Sequence, residues 1–266
     1  MSSANGTAAG AAATWVLLRG LTREQRHWGG FADTFGTRVG AARVVALDLP
    51  GNGALHAARS PATVDAMAAA ARAELQGRGV APPYHLLAMS LGAMVAVDWA
   101  ARWPDEVAAA VLINTSLRPF SPASHRLRPR AFLALLRLLL TRQPPLEIER
   151  AVLRLTSANP AHHAANVLAD WATWRLDSPV SAGNALRQLA AAARFQAPSD
   201  TPTAPMLVLR SAGDALVDPR CSARLAAQWQ LPIATHPWAG HDLPLDDGEW
   251  VAQQVHDWAR GLHAVC

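Results

Sequence analysis

Ala88-Met89-Ser90-Leu91-Gly92 is the stretch from which the rest of the chain can be read. An apolar run at 84–88 leads into it, and a helical pattern from Leu91 to Trp103, stopped by Pro104, leads out. The serine therefore sits on a sharp strand-to-helix turn. Such a turn needs small residues two positions either side of the serine, because larger side chains would collide, and Ala88 and Gly92 meet that need. The turn lifts the Ser90 oxygen above the sheet edge. The amino terminus of the following helix adds a favourable field for negative charge developing there.

A serine hydroxyl at its free pKa is a poor nucleophile, so it needs a base and a group that orients the base. Trp238-Ala239-Gly240-His241-Asp242 lies in a loop between the last strand pattern and the last helix pattern, and His241 is the expected base. His85 falls inside a strand, and His236 lies at a strand end. The acid is expected after the run at 206–209, where Arg210-Ser211-Ala212-Gly213-Asp214 supplies Asp214. Asp218 directly precedes a helix and reads as its N-cap. The catalytic order along the chain is then Ser90, Asp214, His241. Two backbone N–H groups should hold the oxyanion: that of Leu91, and that of Leu21 in the loop after the first strand, where Gly20 lets the backbone come close. Arg19, Gly20 and Met89 are expected to border the substrate.

Working outward, continuous apolar runs at 15–18, 43–47, 84–88, 109–113 and 206–209, with a weaker one at 232–235, read as strands covered on both faces. Helical patterns alternate with them: one opening at Ser60-Pro61, read as N-cap and first-turn proline, and others at 91–103, 219–229 and 247–262. This is an α/β pattern, a mostly parallel sheet with helices on both faces. Between 117 and 196 no strand is found. Four helical stretches at 129–140, 145–156, 160–174 and 179–195, each opened by proline, read as an inserted all-helical cap. The expected organisation is a core from 1–116 and 197–266 around a cap at 117–196.

Composition bounds the rest. The chain has 266 residues, 51% hydrophobic and 17% charged, enough to bury a full core and too apolar for disorder. Its longest apolar candidate, 131–140, is ten residues and contains Arg137, well short of the ~18–20 residues of a spanning helix. Residues 1–13 are small and polar, which reads as a tail rather than a signal peptide. Two cysteines, Cys221 and Cys266, make neither a disulfide framework nor a zinc site, so a reducing, cytoplasmic compartment is expected. No metal or organic cofactor is implied. All 24 basic residues are arginine. Eight of them lie between 118 and 154 against only Glu147 and Glu149, although the whole chain carries only +4. That block is either a solvated helical face or a docking surface for an acidic partner. It lacks interleaved aromatics and any nucleic-acid motif, so nucleic acid is not expected as a partner, and without a spanning-length apolar run neither is a membrane.

Taken together, these motifs resemble an α/β-hydrolase with a helical cap, over nearly the whole chain. Arg19-Gly20 stands where that family usually has His-Gly. Asp48-Leu49-Pro50-Gly51-Asn52-Gly53 resembles its Asp-x-Pro-Gly-x-Gly turn, and the serine turn, Gly213-Asp214 and Gly240-His241 complete the set. Within the superfamily, the Leu49-Pro50-Gly51-x-Gly53 turn and the cap placement resemble the pimeloyl-acyl-carrier-protein methyl ester esterases. That resemblance implies basic cap residues holding an acidic carrier protein. Serine as nucleophile separates the chain from dehalogenases and epoxide hydrolases of similar fold, which use aspartate. Arg19 departs from the family pattern and could support the oxyanion loop by other bonds or bind an acidic substrate group. The expected activity is hydrolysis of a small-molecule carboxylic ester or thioester through an acyl-enzyme. The alternative is a catalytically silent module that binds an acidic partner through the arginine-rich block.

Overall fold

The computed structural model describes residues 13–263. Residues 1–12 of the expected tail, and Cys266, lie outside them. In chain order the elements are β1 (Thr14–Leu18), α1 (Phe31–Val39), β2 (Arg43–Leu47), α2 (Val64–Gly77), β3 (Tyr84–Met89), α3 (Leu91–Arg102) and β4 (Val107–Ile113). Five helices follow: α4 (Ala123–Arg126), α5 (Pro129–Leu140), α6 (Pro145–Thr156), α7 (Pro160–Asp177) and α8 (Ala182–Arg194). The chain closes with β5 (Met206–Ser211), α9 (Arg220–Trp229), β6 (Ile233–His236) and α10 (Leu243–His263).

The six strands form one parallel sheet in the order β2-β1-β3-β4-β5-β6. Side chains alternate across it. Val16, Leu18, Leu86, Leu112 and Val208 pack into one core with α2, α3 and α9. Trp15, Leu17, Leu87, Val111 and Leu209 pack into a second with α1 and α10. Both faces of the central strands are therefore dry, which is why these strands read as apolar runs; the edge strands β2 and β6, expected to be covered on both faces, instead leave Arg43, Ile233 and Thr235 exposed. Because all strands are parallel, their carboxyl ends share one edge. Strand order reverses at β1, which pairs β2 on one side and β3 on the other, and crevices at such switch points are where ligands settle in open sheets.

Several local readings are corrected. The helix expected from Ser60-Pro61 begins at Val64, with Thr63 as its N-cap. Ser60 is fully buried instead: its hydroxyl donates to the Pro50 carbonyl at 2.6 Å, and its N–H donates to Asn184 Oδ1 of α8 at 2.9 Å. Helix α1 had no sequence expectation. The last helix starts at Leu243 rather than Asp247, which is a non-helical kink within it. Between β4 and β5 the chain holds helices α4–α8, and a single bridge between Arg118 and Gln196 joins the ends of that stretch. Helices α6 and α7 share a small core of Leu153, Leu168 and Trp171. No helix among the described residues is long and apolar enough to cross a membrane.

Candidate active site

Four loops at the carboxyl edge of the sheet build the site. Ser90 follows β3 with φ 55° and ψ −116°, a backbone that a non-glycine residue adopts only when its surroundings hold it there. Two bonds do so: Ser90 N–H donates to the Ile113 carbonyl at 2.9 Å, and Thr115 Oγ1 donates to the Ser90 carbonyl at 3.0 Å. Gly20 approaches from the β1 loop so closely that a Cβ there would lie 3.0 Å from Ser90 Cβ. Leu91 opens α3, so its N–H precedes any intrahelical acceptor. Leu21 lies inside the turn closed by Arg23 N–H donating to the Gly20 carbonyl. Leu21, Ser90 and Leu91 line one cavity.

His241 and Asp214 meet directly. The His241 ring, through Nδ1, lies 2.7 Å from Asp214 Oδ2, and both side chains are buried. The other carboxylate oxygen accepts from the N–H groups of Leu216 and Val217, at 2.8 and 2.9 Å. No described hydrogen bond joins Ser90 Oγ to His241, although both line the same small cavity. Contacts of this kind are often long before substrate arrives. His236 is occupied elsewhere: Ala239 N–H donates to its Nδ1, and its Nε2 lies 3.1 Å from Asp247. Asp218 accepts at the start of α9 from the Arg220 backbone and guanidinium, which hold its carboxyl well below the usual range. Pro219, not Asp218, is the N-cap residue.

The loop carrying His241 is pinned from two sides. Asn114 Nδ2 donates to the His241 carbonyl at 2.8 Å and to Ser211 Oγ at 2.9 Å, while Asn114 Oδ1 accepts from Ser211 N–H. From the helical block, the Thr156 carbonyl accepts from Asp242 N–H at 2.7 Å. Asp246 accepts from Gly240 N–H at 2.6 Å, from Ser157 Oγ at 2.5 Å and from Ala158 N–H at 2.9 Å, with His163 Nε2 at 3.2 Å. Sequence reasoning missed Asn114 and Asp246, since neither belongs to a local motif.

Arg19, expected to border the substrate, does line the small cavity, but its guanidinium is clamped. Both terminal nitrogens meet the Asp242 carboxylate, at 3.0 and 2.5 Å, and its carbon stands 4.8 Å from the Trp28 ring. Met89 Sδ is 3.6 Å from Arg19 Nη1. A second buried ion cluster lies alongside. Glu149 of α6 receives Arg23 Nη1 on one oxygen and Arg175 of α7 on the other, each at 2.6 Å. Glu149, read as a surface acid from the sequence, is thus almost fully buried. The arginine block is divided as well: Arg126 donates to the carbonyls of Ala192 and Ala193, and Arg150 pairs with Glu147. Arg118, Arg130, Arg137, Arg142 and Arg154 remain exposed.

Two cavities meet at Ser90. The larger, about 510 Å³, is apolar, with Met94, Leu127, Phe132, Leu189 and Val217 in its wall. The smaller, about 60 Å³, is bordered by Arg19, Arg23, Met89, His241 and Asp242 and by the apolar Leu135, Val152, Leu155 and Leu216. Among the described residues no group of three or more His, Cys, Asp or Glu side chains could hold a metal ion.

Residues 15–254 match the alpha/beta hydrolase family. An esterase from Thermogutta terrifontis superposes with a TM-score of 0.73 at 23% identity, over 96% of this chain and 92% of that one. The enol-lactonase of Burkholderia xenovorans LB400 gives 0.76 at 19%, over 96% and 94%, and an esterase from Rhodococcus sp. ECU1013 gives 0.72 at 19%, over 93% and 90%. At these identities the likeness is one of fold. No curated protein sequence matches the chain.

Proposed function

The chain belongs to the alpha/beta hydrolase family, and from that premise we propose that it is a serine hydrolase acting on a carboxylic ester or thioester. Ser90 attacks the acyl carbon while His241 takes its proton. Asp214 orients His241 and stabilises the imidazolium. The Leu21 and Leu91 N–H groups receive the oxyanion, an effect worth roughly 3–4 kcal/mol per donor in comparable enzymes. His241 then returns the proton to the leaving group, and water, activated by the same histidine, releases the acyl group and restores Ser90. The observation that carries this reading is the strained Ser90 turn, sharing a cavity with a histidine whose far nitrogen meets a buried carboxylate. The helices between β4 and β5 act as a cap, supplying Phe132 and Leu189 to the larger chamber. An acidic carrier holding the acyl chain would meet the exposed Arg130, Arg137 and Arg142, and turnover of a carrier-linked ester would then be suppressed by salt.

The test is intact-mass labelling with a fluorophosphonate, on wild type and Ser90→Ala, with hydrolysis of nitrophenyl esters from acetate to decanoate alongside. One label per wild-type chain, none on the variant, and kcat lowered by orders of magnitude in Ser90→Ala and His241→Ala with the fold retained are the expected results. Equal turnover by Ser90→Ala would defeat the mechanism.

A further inference from the structure

Resting on that hydrolase reading, we propose that Val152 and Leu155 of α6 set the size of the leaving group: the small cavity beside Ser90 receives the alcohol arm of the ester, and the larger chamber receives the acyl arm.

The direction of the ester follows from where a proton has to be delivered. As the C–O bond breaks, the alkoxide oxygen takes the proton that His241 accepted from Ser90, so the leaving group must come within hydrogen-bond reach of His241. The carbonyl oxygen must instead point at the N–H groups of Leu91 and Leu21. Ser90 borders both cavities. Of the two, Leu91 borders only the larger and His241 only the smaller. An ester at Ser90 with one arm in each cavity therefore has its alcohol arm on the smaller side. The reversed ester would hold its leaving oxygen away from the histidine.

Size then sets what that arm can be. The smaller cavity, about 60 Å³, has room for only a few heavy atoms, against about 510 Å³ on the acyl side. Val152 and Leu155, three positions apart and so on one side of α6, are part of its wall. That wall is firmly held. Thr156, the next residue of the same helix, also lines the cavity, and its carbonyl accepts from Asp242 N–H at 2.7 Å. Three positions before Val152, Glu149 is tied to Arg23 and Arg175 at 2.6 Å each. Leu153 shares a core with Leu168 and Trp171 of α7. Helix α6 is thus anchored to the His241 loop, to the loop after β1 and to α7.

The larger chamber is walled differently. Phe132 and Leu135 of α5 line it, yet Ala131 is that helix's one buried side chain and Phe132 is half exposed. A loosely packed wall yields to a longer chain at little cost, whereas a close-packed one passes on the cost of misfit. The alcohol side is therefore the selective side, and the acid side the tolerant one.

Alkyl esters test this, because an alkoxide needs the proton from His241 that a nitrophenolate does not. Methyl octanoate and heptyl acetate are isomers with their long arms on opposite sides of the ester. Followed by pH-stat, wild type should prefer methyl octanoate by about tenfold or more in kcat/KM, and methyl over butyl hexanoate by a similar factor. Val152→Ala and Leu155→Ala should each lower the methyl-to-butyl ratio by about fivefold or more, while the preference for methyl octanoate over methyl butyrate moves by less than about twofold. Val152→Ile, which adds a methylene to the wall, should raise the ratio, and it serves if the truncated variants do not fold. Heptyl acetate turned over as well as methyl octanoate by wild type would overturn the assignment of the arms. A methyl-to-butyl ratio unchanged in every folded variant would overturn the role of α6. If Ser90 still takes a fluorophosphonate label in either case, the hydrolase reading survives and only this assignment falls. No label and no turnover of any ester would remove both.

Discussion

Replacing Asp242 with Asn isolates the Arg19 charge. The Arg19 and Asp242 side chains are 2% and 3% exposed and meet in a bidentate pair. Desolvating such a pair costs nearly what the attraction returns, so its net worth against an apolar pair is small. Removing one partner is different, because an uncompensated guanidinium stays buried, at a cost of about 3–5 kcal/mol. For a chain of this size that lowers the melting temperature by about 10 °C. The double variant Arg19→Met with Asp242→Leu should regain most of the loss. The pair also carries a pH signature. Burial pushes the Asp242 carboxyl up, but the charge and hydrogen bonds of Arg19, with the charge of Arg23 and the neighbouring His241, together reverse this, leaving it below the ordinary range. A depressed folded-state pKa means that the contribution is fully present above the unfolded value, near 3.9, and is lost as pH falls through the folded one. Urea unfolding followed by circular dichroism at pH 7 and in steps below pH 5 would measure both effects. A cost below about 1 kcal/mol for Asp242→Asn, or a double variant no more stable than the single, would refute the reasoning.

Asn114→Ala removes donors to the His241 carbonyl and Ser211 Oγ and an acceptor for Ser211 N–H, so we expect about 2–4 kcal/mol lost in chemical unfolding and a lower kcat. Gly92→Ala places a Cβ 2.5 Å from the Leu18 carbonyl and 2.6 Å from that of Arg19, both backbone; a soluble variant with wild-type melting temperature would contradict that packing. Asp246→Asn weakens the hold on Gly240 N–H and should lower kcat about tenfold or more with little change in KM, read from saturation curves; an unchanged kcat would mean the loop is held without it. Glu149→Gln leaves Arg23 and Arg175 without their shared anion, and limited proteolysis should then cut first within the stretch between β4 and β5.

The parts legible in the sequence were those with a local cause. The central strands β1, β3, β4 and β5 announced themselves because both their faces are buried and their runs are almost wholly apolar, His85 in β3 excepted. Ser90 was legible because a tight turn demands Ala88 and Gly92 on either side. Helix α1 was not: Phe31 and Phe35 are its only buried side chains, and Gly29-Gly30 before them reads as loop. Ser60 was misread because Ser-Pro is a sound helix opening in isolation, and only the distant Asn184 shows that the serine faces inward. The ion clusters were invisible for the same reason. Arg23 and Glu149 are 126 positions apart, and Arg19 and Asp242 are 223 apart. Nothing in the neighbourhood of Glu149, an acid among arginines on an amphipathic helix, distinguishes a surface salt bridge from a buried one.

The bonds from Thr156, Ser157 and Ala158 to the His241 loop have a bearing on how such proteins diversify. A segment joined to a core only by its two ends could be exchanged as a cassette to change specificity. Here the carboxyl end of α6 reaches across the crevice and shares Asp246 with Gly240, the residue before His241. A graft of foreign helices between β4 and β5 would therefore take away part of the scaffold under the histidine itself. Chimeras of this chain should keep residues 156–158 and 246 together as a unit, with freedom to vary placed in α5, whose outer face bears Leu133 and Leu140 in the open.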